Sequence, residues 1–146
     1  MTTPTTTTAT PSEPAAAPGA RHARFFGTAG ALLGFFGVAA GAFGAHGLKG
    51  SLSAARLANW ETASHYELVH ALALLATAFV VARAPSKVGV VAGWAFFVGA
   101  ILFSGSLYVL ALTDVLALGA VTPFGGVGFL VGWGALAFAV AHAYRR

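Results

Sequence analysis

The chain has 146 residues, of which 58% are hydrophobic and only 8% are charged. Soluble domains carry about 25% charged residues, so this composition excludes a chain that covers itself with a water-facing surface. The net charge of +4 comes from basic residues placed between apolar runs, which argues against nucleic-acid binding, and the chain has no cysteine for disulfides or zinc–cysteine sites.

The first segment, residues 1–24, is a low-complexity stretch rich in threonine, proline and alanine that ends with Arg21 and Arg24. It has no apolar period to bury, so it cannot offset the entropy of ordering and is predicted to be a disordered cytoplasmic tail. The remaining residues, 25–146, are predicted to form one membrane domain.

Four apolar runs follow, and each is long enough for a helix to cross the bilayer core, which takes about 20 residues. The predicted fold class is therefore an all-α membrane protein with four transmembrane helices in an antiparallel bundle. The predicted spans cover residues 25–45, 64–82, 88–112 and 124–143.

Glycines recur along the first span in alternating steps of three and four residues. At about 100° per residue this spacing keeps them on one stripe of the helix, which lets a neighbouring backbone approach closely in lipid. Gly47 and Gly50 are predicted turn glycines where this helix leaves the membrane. Glycines four residues apart repeat the pattern in the third and fourth spans. The predicted packing glycines are Gly27, Gly30, Gly34, Gly37, Gly41, Gly44, Gly89, Gly93, Gly128 and Gly132.

The segment before the second span leaves two alternatives open. Ser64 and Glu67 form the S-x-x-E pattern of a capping box, which predicts a helix start at this point. Residues 53–63 are then either a separate interfacial helix or a continuous part of the second span.

The basic residues predict the orientation of the chain, because cytoplasmic loops of membrane proteins carry an excess of lysine and arginine. The side with Lys49 and Arg56 is the less basic one, so both termini are predicted to be cytoplasmic. The basic residues assigned to the cytoplasmic side are Arg21, Arg24, Arg83, Lys87, Arg145 and Arg146.

Polar side chains in or near the spans are the candidate functional residues, because a charged group at the bilayer centre costs about 2.5–3.5 kcal/mol on insertion scales. On the second span Tyr66, His70 and Thr77 are spaced so that they share one polar stripe. The interpretation is a small polar cavity that opens to the outer side, with His70 at its base. The candidate residues are His46, Glu61, His65, Tyr66, Glu67, His70, Thr77, Ser104, Ser106, Tyr108 and Asp114.

His70 itself has two interpretations. In one, it binds a ligand or moves a proton, which are roles that histidine can take near neutral pH. In the other, it is a neutral imidazole that hydrogen-bonds tyrosine or serine partners across helices, and such bonds contribute about 0.6 kcal/mol on average.

Metal and haem sites have less support. Glu67 and His70 match the E-x-x-H unit of di-iron bundles, but such a site needs a second unit and two further glutamates. A b-type haem needs two histidines on facing helices, whereas His46 and His70 lie at different depths. There is also no nucleophile elbow, so we expect no metal, no cofactor and no enzymatic activity.

Four blocks of the sequence carry a resemblance to a known family: GAFGAHGL, WETASHYELVHALALL, FSGSLYVLAL, and TPFGG followed by GW. In this order and spacing they resemble the YgdD-like family of small four-helix membrane proteins, which is domain of unknown function family 423. The resemblance covers about residues 25–143. The family that it points to includes a eukaryotic branch of small mitochondrial transmembrane proteins. The resemblance implies an integral protein of the bacterial inner membrane, and it implies no reaction or ligand. Family members usually start near the first span, so the tail departs from the pattern.

We therefore expect an integral inner-membrane protein with a structural, interaction or accessory role. Its expected partners are the lipid bilayer and either a second copy of the chain or another membrane protein. The alternative is a carrier or channel for a small solute or protons, built around the polar stripe at His70. A haem- or metal-binding membrane protein is a remote alternative.

Overall fold

The computed structural model describes residues 19–143, and four helices in this range are long and apolar enough to cross a membrane. The predicted all-α fold with four transmembrane helices is therefore confirmed. The predicted disorder of residues 1–18 lies outside the described residues. The helices are α1 (Ala20–Phe43), which continues as a π-helical turn (Gly44–Leu48), α2 (Ala54–Arg83), α3 (Lys87–Thr113), a short 3-10 turn (Leu116–Ala120) and α4 (Thr122–Ala143).

The first helix begins earlier than the apolar pattern predicts. α1 starts at Ala20, so residues 20–24 are helical and the predicted end of the tail at residue 24 is too late. The two arginines in this stretch lie on the exposed surface of the first helical turns. A helix of about 24 residues is longer than the bilayer core, so its first turn reaches the lipid headgroups.

The second helix is continuous from Ala54, so residues 54–63 extend the second span rather than form a separate interfacial helix. Its N-cap is Ser53, whose hydroxyl accepts a hydrogen bond from the backbone N–H of Arg56 at 3.4 Å. The predicted capping box at Ser64 is wrong. The Ser64 hydroxyl donates to the carbonyl of Glu61 at 3.1 Å inside the helix, as serine does when it lies in mid-helix.

The central pair of the bundle is α2 and α3. α1 packs along α2 and α4 packs along α3, whereas the backbones of α1 and α4 do not approach each other within residues 19–143. Short connections reverse the chain after each helix, so neighbouring helices are antiparallel. One apolar core joins all four helices, and its largest buried side chains are Phe26, Leu74, Phe96, Phe129 and Leu136.

The glycine stripe of α1 faces α2. A methyl group added at Gly30 would lie 3.0 Å from the carbonyl oxygen of Ala71, and one at Gly37 would lie 2.9 Å from Cγ of Leu68. At Gly44 it would lie 2.7 Å from the indole ring of Trp60. The contact is looser at the other three stripe positions, where the added atom would lie 3.7 to 3.9 Å from its neighbour; these are Gly27, Gly34 and Gly41.

The other predicted packing glycines have separate partners. Gly93 on α3 faces the ring of Phe26 on α1, and Gly132 on α4 faces the ring of Phe96. Gly89 leaves room for Val81 of α2. These glycines therefore accept large side chains from a neighbouring helix, which differs from the backbone contact of a glycine pair.

The closest backbone crossing joins α3 to α4 through two glycines that the sequence analysis did not select. A methyl group on Gly125 would lie 2.8 Å from the carbonyl oxygen of Gly99 and 2.7 Å from Cβ of Phe103. One on Gly128 would lie 3.2 Å from Cα of Gly99. Small residues are needed here because the backbones approach to contact distance.

The chain reverses at each helix end through local devices. Gly50 has φ +92°, a left-handed conformation, and so acts as the predicted turn glycine, whereas Gly47 lies within the π-helical turn. Asp114 ends α3 with φ 62°. The Arg56 side chain of α2 donates from Nε and Nη2 to the last carbonyls of α3, those of Ala111 and Leu112, each at 2.6 Å.

We expect Gly125→Ala to lower the free energy of unfolding by about 1–3 kcal/mol, because the added methyl forces the α3 and α4 backbones apart. Gly134→Ala on the same helix is the matched control, since a methyl there meets no atom within 4 Å. The measurement is thermal unfolding in detergent, monitored by circular dichroism. Equal stability of the two variants would contradict the proposed crossing.

Candidate functional site

The predicted polar residues do not line one common cavity. Four of them are exposed near the end of the bundle where lysine and arginine are fewest: His46, Glu61, His65 and Asp114. The remaining residues lie deeper and divide into hydroxyl groups, a cluster around His70 and a cluster around Glu67. The structure therefore replaces the single polar stripe with two separate clusters.

The buried hydroxyls serve helix packing. Ser104 of α3 donates to the carbonyl of Ala63 on α2 at 2.9 Å, and Ser106 of α3 shares a 2.9 Å hydrogen bond with Thr122 of α4. Thr77 donates to the carbonyl of Ala73 within its own helix at 2.8 Å. Within residues 19–143 no fully buried side-chain nitrogen or oxygen lacks a hydrogen-bond partner. Each of these hydroxyl groups therefore has a hydrogen-bond partner inside the bundle, which lipid could not provide.

His70 is buried, and both of its ring nitrogens have partners. Nδ1 lies 2.7 Å from the carbonyl oxygen of Tyr66, and Nε2 lies 3.3 Å from Nε1 of Trp133 on α4. A carbonyl only accepts and an indole N–H only donates, so the network assigns the proton to Nδ1 and leaves Nε2 as an acceptor. This arrangement is a neutral imidazole that joins α2 to α4.

Aromatic rings hold the His70 side chain in place. Its ring stacks on Phe129 with the centroids 3.4 Å apart and the planes 8° apart. Tyr66, which is partly exposed, stacks on Phe103 at 4.6 Å. A cavity of about 540 Å³ lies beside these rings between α2, α3 and α4, and its lining includes His65 at the rim. The lining is mostly aromatic and aliphatic, so the cavity has few polar groups besides the imidazole.

Glu67 forms the second cluster, on the side of α2 that faces α1 and α3. Its side chain is only 6% exposed, and Oε2 accepts a hydrogen bond of 2.6 Å from the Tyr108 hydroxyl of α3. The Tyr108 ring lies 4.6 Å from the ring of Trp60, whose indole N–H donates to the carbonyl of Ala40 on α1 at 2.8 Å. The cluster therefore connects three helices through one carboxyl group and two aromatic rings.

Glu67 lies in the apolar part of α2, toward the end of the bundle opposite Arg83. Its partner Tyr108 is about 8 Å along the axis from the last residue of α3, Thr113, and about 30 Å from the first, Lys87, at 1.5 Å per residue. An ionisable group at this depth marks a candidate functional site, and Tyr108 is the partner that the structure assigns to it.

Sequence reasoning selected Glu67, His70 and Tyr108 but missed their indole partners, Trp60 and Trp133. The two tryptophans could have been selected from the sequence, because a tryptophan in a buried apolar segment still needs an acceptor for its N–H. The sequence analysis also treated Glu67 and His70 as neighbours in one cavity, because they are close together on one helix. Glu67 contacts α3, whereas His70 contacts α4, so they belong to different clusters.

We expect Trp133→Phe to lower the stability of the bundle by about 1 kcal/mol, because it leaves Nε2 of the buried His70 without its donor. Trp94→Phe is the matched control. Trp94 contacts Phe25 through its ring, and a phenylalanine at this position keeps an aromatic ring for that contact. The measurement is thermal unfolding in detergent, together with ¹⁵N NMR of labelled histidine. A wild-type His70 protonated on Nε2 rather than Nδ1 would contradict the hydrogen-bond assignment.

Comparison with known proteins gives a consistent family assignment. Residues 40–126 match the family described as "Protein of unknown function (DUF423)". A UPF0382 membrane protein of Staphylococcus saprophyticus is 49% identical over 88 residues, which are 60% of this chain and 72% of that protein. The UPF0382 membrane protein YwdK of Bacillus subtilis is 46% identical over 90 residues, 60% of this chain and 72% of that protein. No solved structure matches the chain.

Proposed function

The chain belongs to the DUF423 family and is an integral membrane protein, and from that premise we propose that it has a structural or interaction role and is not an enzyme. The observation that carries the proposal is the closed polar interior. Within residues 19–143 every fully buried polar side-chain atom has a partner inside the bundle. Because these fully buried polar atoms are engaged inside the bundle, we infer that the bundle acts through its surface.

The outer faces of the end helices support an interaction role. α1 and α4 each pack along one neighbour, so much of their circumference faces lipid or another protein. Phe35 on α1 is 68% exposed and Leu130 on α4 is 75% exposed. We propose that one of these faces contacts either a second copy of the chain or another membrane protein.

A carrier centred on His70 has less support. Both ring nitrogens already hold hydrogen bonds, and the ring stacks on Phe129. A proton relay would have to break the contact with Trp133 each time the imidazole gained a proton, since the indole offers only a donor. The geometry thus favours the interpretation of His70 as a link between helices.

We expect a photo-reactive amino acid at Phe35 or at Leu130 to form, in living cells, an adduct of one discrete mass with a protein. Phe26, which is fully buried, is the control position and should give only cross-links within the chain. The measurement is mass spectrometry of the adducts. Adducts with lipid alone at both exposed positions would contradict the interaction role.

The location in a bacterial inner membrane, with both termini in the cytoplasm, is also part of the proposal. Arg21, Arg24, Arg83 and Lys87 lie at one end of the bundle, and the positive-inside rule assigns that end to the cytoplasm. At the other end, the Arg56 side chain is engaged with the carbonyls of α3.

We expect a reporter fused after Arg146 to be active in the cytoplasm and one inserted after Gly50 to be active outside the inner membrane. The pair of fusions is scored by alkaline phosphatase and green fluorescent protein, which are active on opposite sides. The reverse pattern would contradict the proposed orientation while leaving the fold unaffected.

A further inference from the structure

A lipid-facing cleft of about 500 Å³ lies next to Glu67, on the opposite side of the cluster from His70. α1 and α3 form its walls, and these two helices make little contact with each other. Trp60 and Glu67 of α2 are both buried and form its floor. The cleft is wide because α1 has alanines at positions 39 and 40, which leave space that larger side chains would fill.

The size and lining of the cleft suit a small organic molecule. Sites for such ligands usually measure about 300–1,000 Å³, with mostly apolar walls and a few polar groups. Four aromatic side chains line this cleft, and the carboxyl group of Glu67 is its only acidic one: the aromatic residues are Phe36, Phe43, Trp60 and Tyr108.

The charge of the cleft decides the class of ligand. The Tyr108 hydroxyl donates to Oε2 of Glu67 at 2.6 Å and is the one hydrogen-bond partner of this carboxyl group within residues 19–143. Among the residues that the structure describes, no lysine or arginine lines the cleft. An ionised carboxylate in this apolar cleft, with only a hydroxyl partner, would gain strongly from a cation that has an apolar body.

We propose that this cleft binds a hydrophobic organic cation, with Glu67 as its counter-ion and the Trp60 and Tyr108 rings as cation–π partners. Aromatic faces attract a cation through the negative face of the ring, most strongly where water is excluded. The site is separate from the outer faces that carry the proposed interaction role.

The test is binding of tetraphenylphosphonium to the purified full chain in detergent, by equilibrium dialysis. Tetraphenylborate, an anion of nearly the same shape, is dialysed in a separate experiment, because the two ions precipitate together, and it tests whether charge or apolar contact drives binding. We expect saturable binding of the cation at one site and no saturable binding of the anion. Failure of the wild-type chain to bind the cation, or equal binding of the anion, would overturn the proposal.

Glu67→Gln keeps the shape of the side chain and removes its charge, so we expect the affinity for the cation to fall about tenfold or more. Glu61→Gln is the matched control, because Glu61 is exposed on the same helix and should leave the affinity unchanged. If Glu67→Gln does not fold, Ala39→Phe fills the cleft from its exposed wall and should weaken binding to the same degree. If the affinity for the cation falls by less than about tenfold in whichever of these two variants folds, the proposal is overturned.

Discussion

Close contact between helix backbones is the constraint on which the rest of this structure depends. Lipid tails are as apolar as leucine, so helices in a membrane associate through van der Waals packing and hydrogen bonds rather than by escaping from their surroundings. At Gly30 and at the crossing of Gly99 with Gly125, one added methyl group would overlap the neighbouring helix. Glycine residues therefore allow the outer helices, α1 and α4, to pack closely against the central pair, α2 and α3.

This close packing brings the polar side chains within reach of each other. Short hydroxyl side chains such as Ser104 can cross to a neighbouring helix only when the helices are close, and Ser104 does so at 2.9 Å. The longer partners, Tyr108 and Trp133, span from α3 and α4 to α2. Since water is not available in the hydrocarbon core, each of these hydrogen bonds replaces one that the side chain would otherwise make to water.

The two deep clusters differ in what they leave available. The imidazole of His70 is stacked on Phe129 and has both nitrogens occupied, so it contributes to packing. Glu67 has a hydroxyl partner and a cleft beside it, so its charge can be matched from outside the chain. The same helix thus provides a structural link on one side and a candidate binding group on the other. An interaction role through the outer faces of α1 and α4 is compatible with both.

The sequence by itself determined the fold class, because composition and the length of the apolar runs leave four membrane-spanning helices as the interpretation. It also identified the α1 glycines, whose 3.6-residue period can be read from one chain. The helix ends were predicted less well. α2 starts at Ala54, where Ser53 is the N-cap, and not at the S-x-x-E pattern of Ser64 and Glu67, because both of these side chains are engaged within the bundle.

Tertiary structure alone decided which polar side chains meet. Glu67 and His70 share a helix and three residues of spacing, yet one contacts Tyr108 and the other Trp133. Their separation follows from the rotation of α2 against three neighbouring helices, and periodicity within one helix carries no information about that rotation. For the same reason, the glycine crossing between α3 and α4 became visible only when the two backbones were placed together.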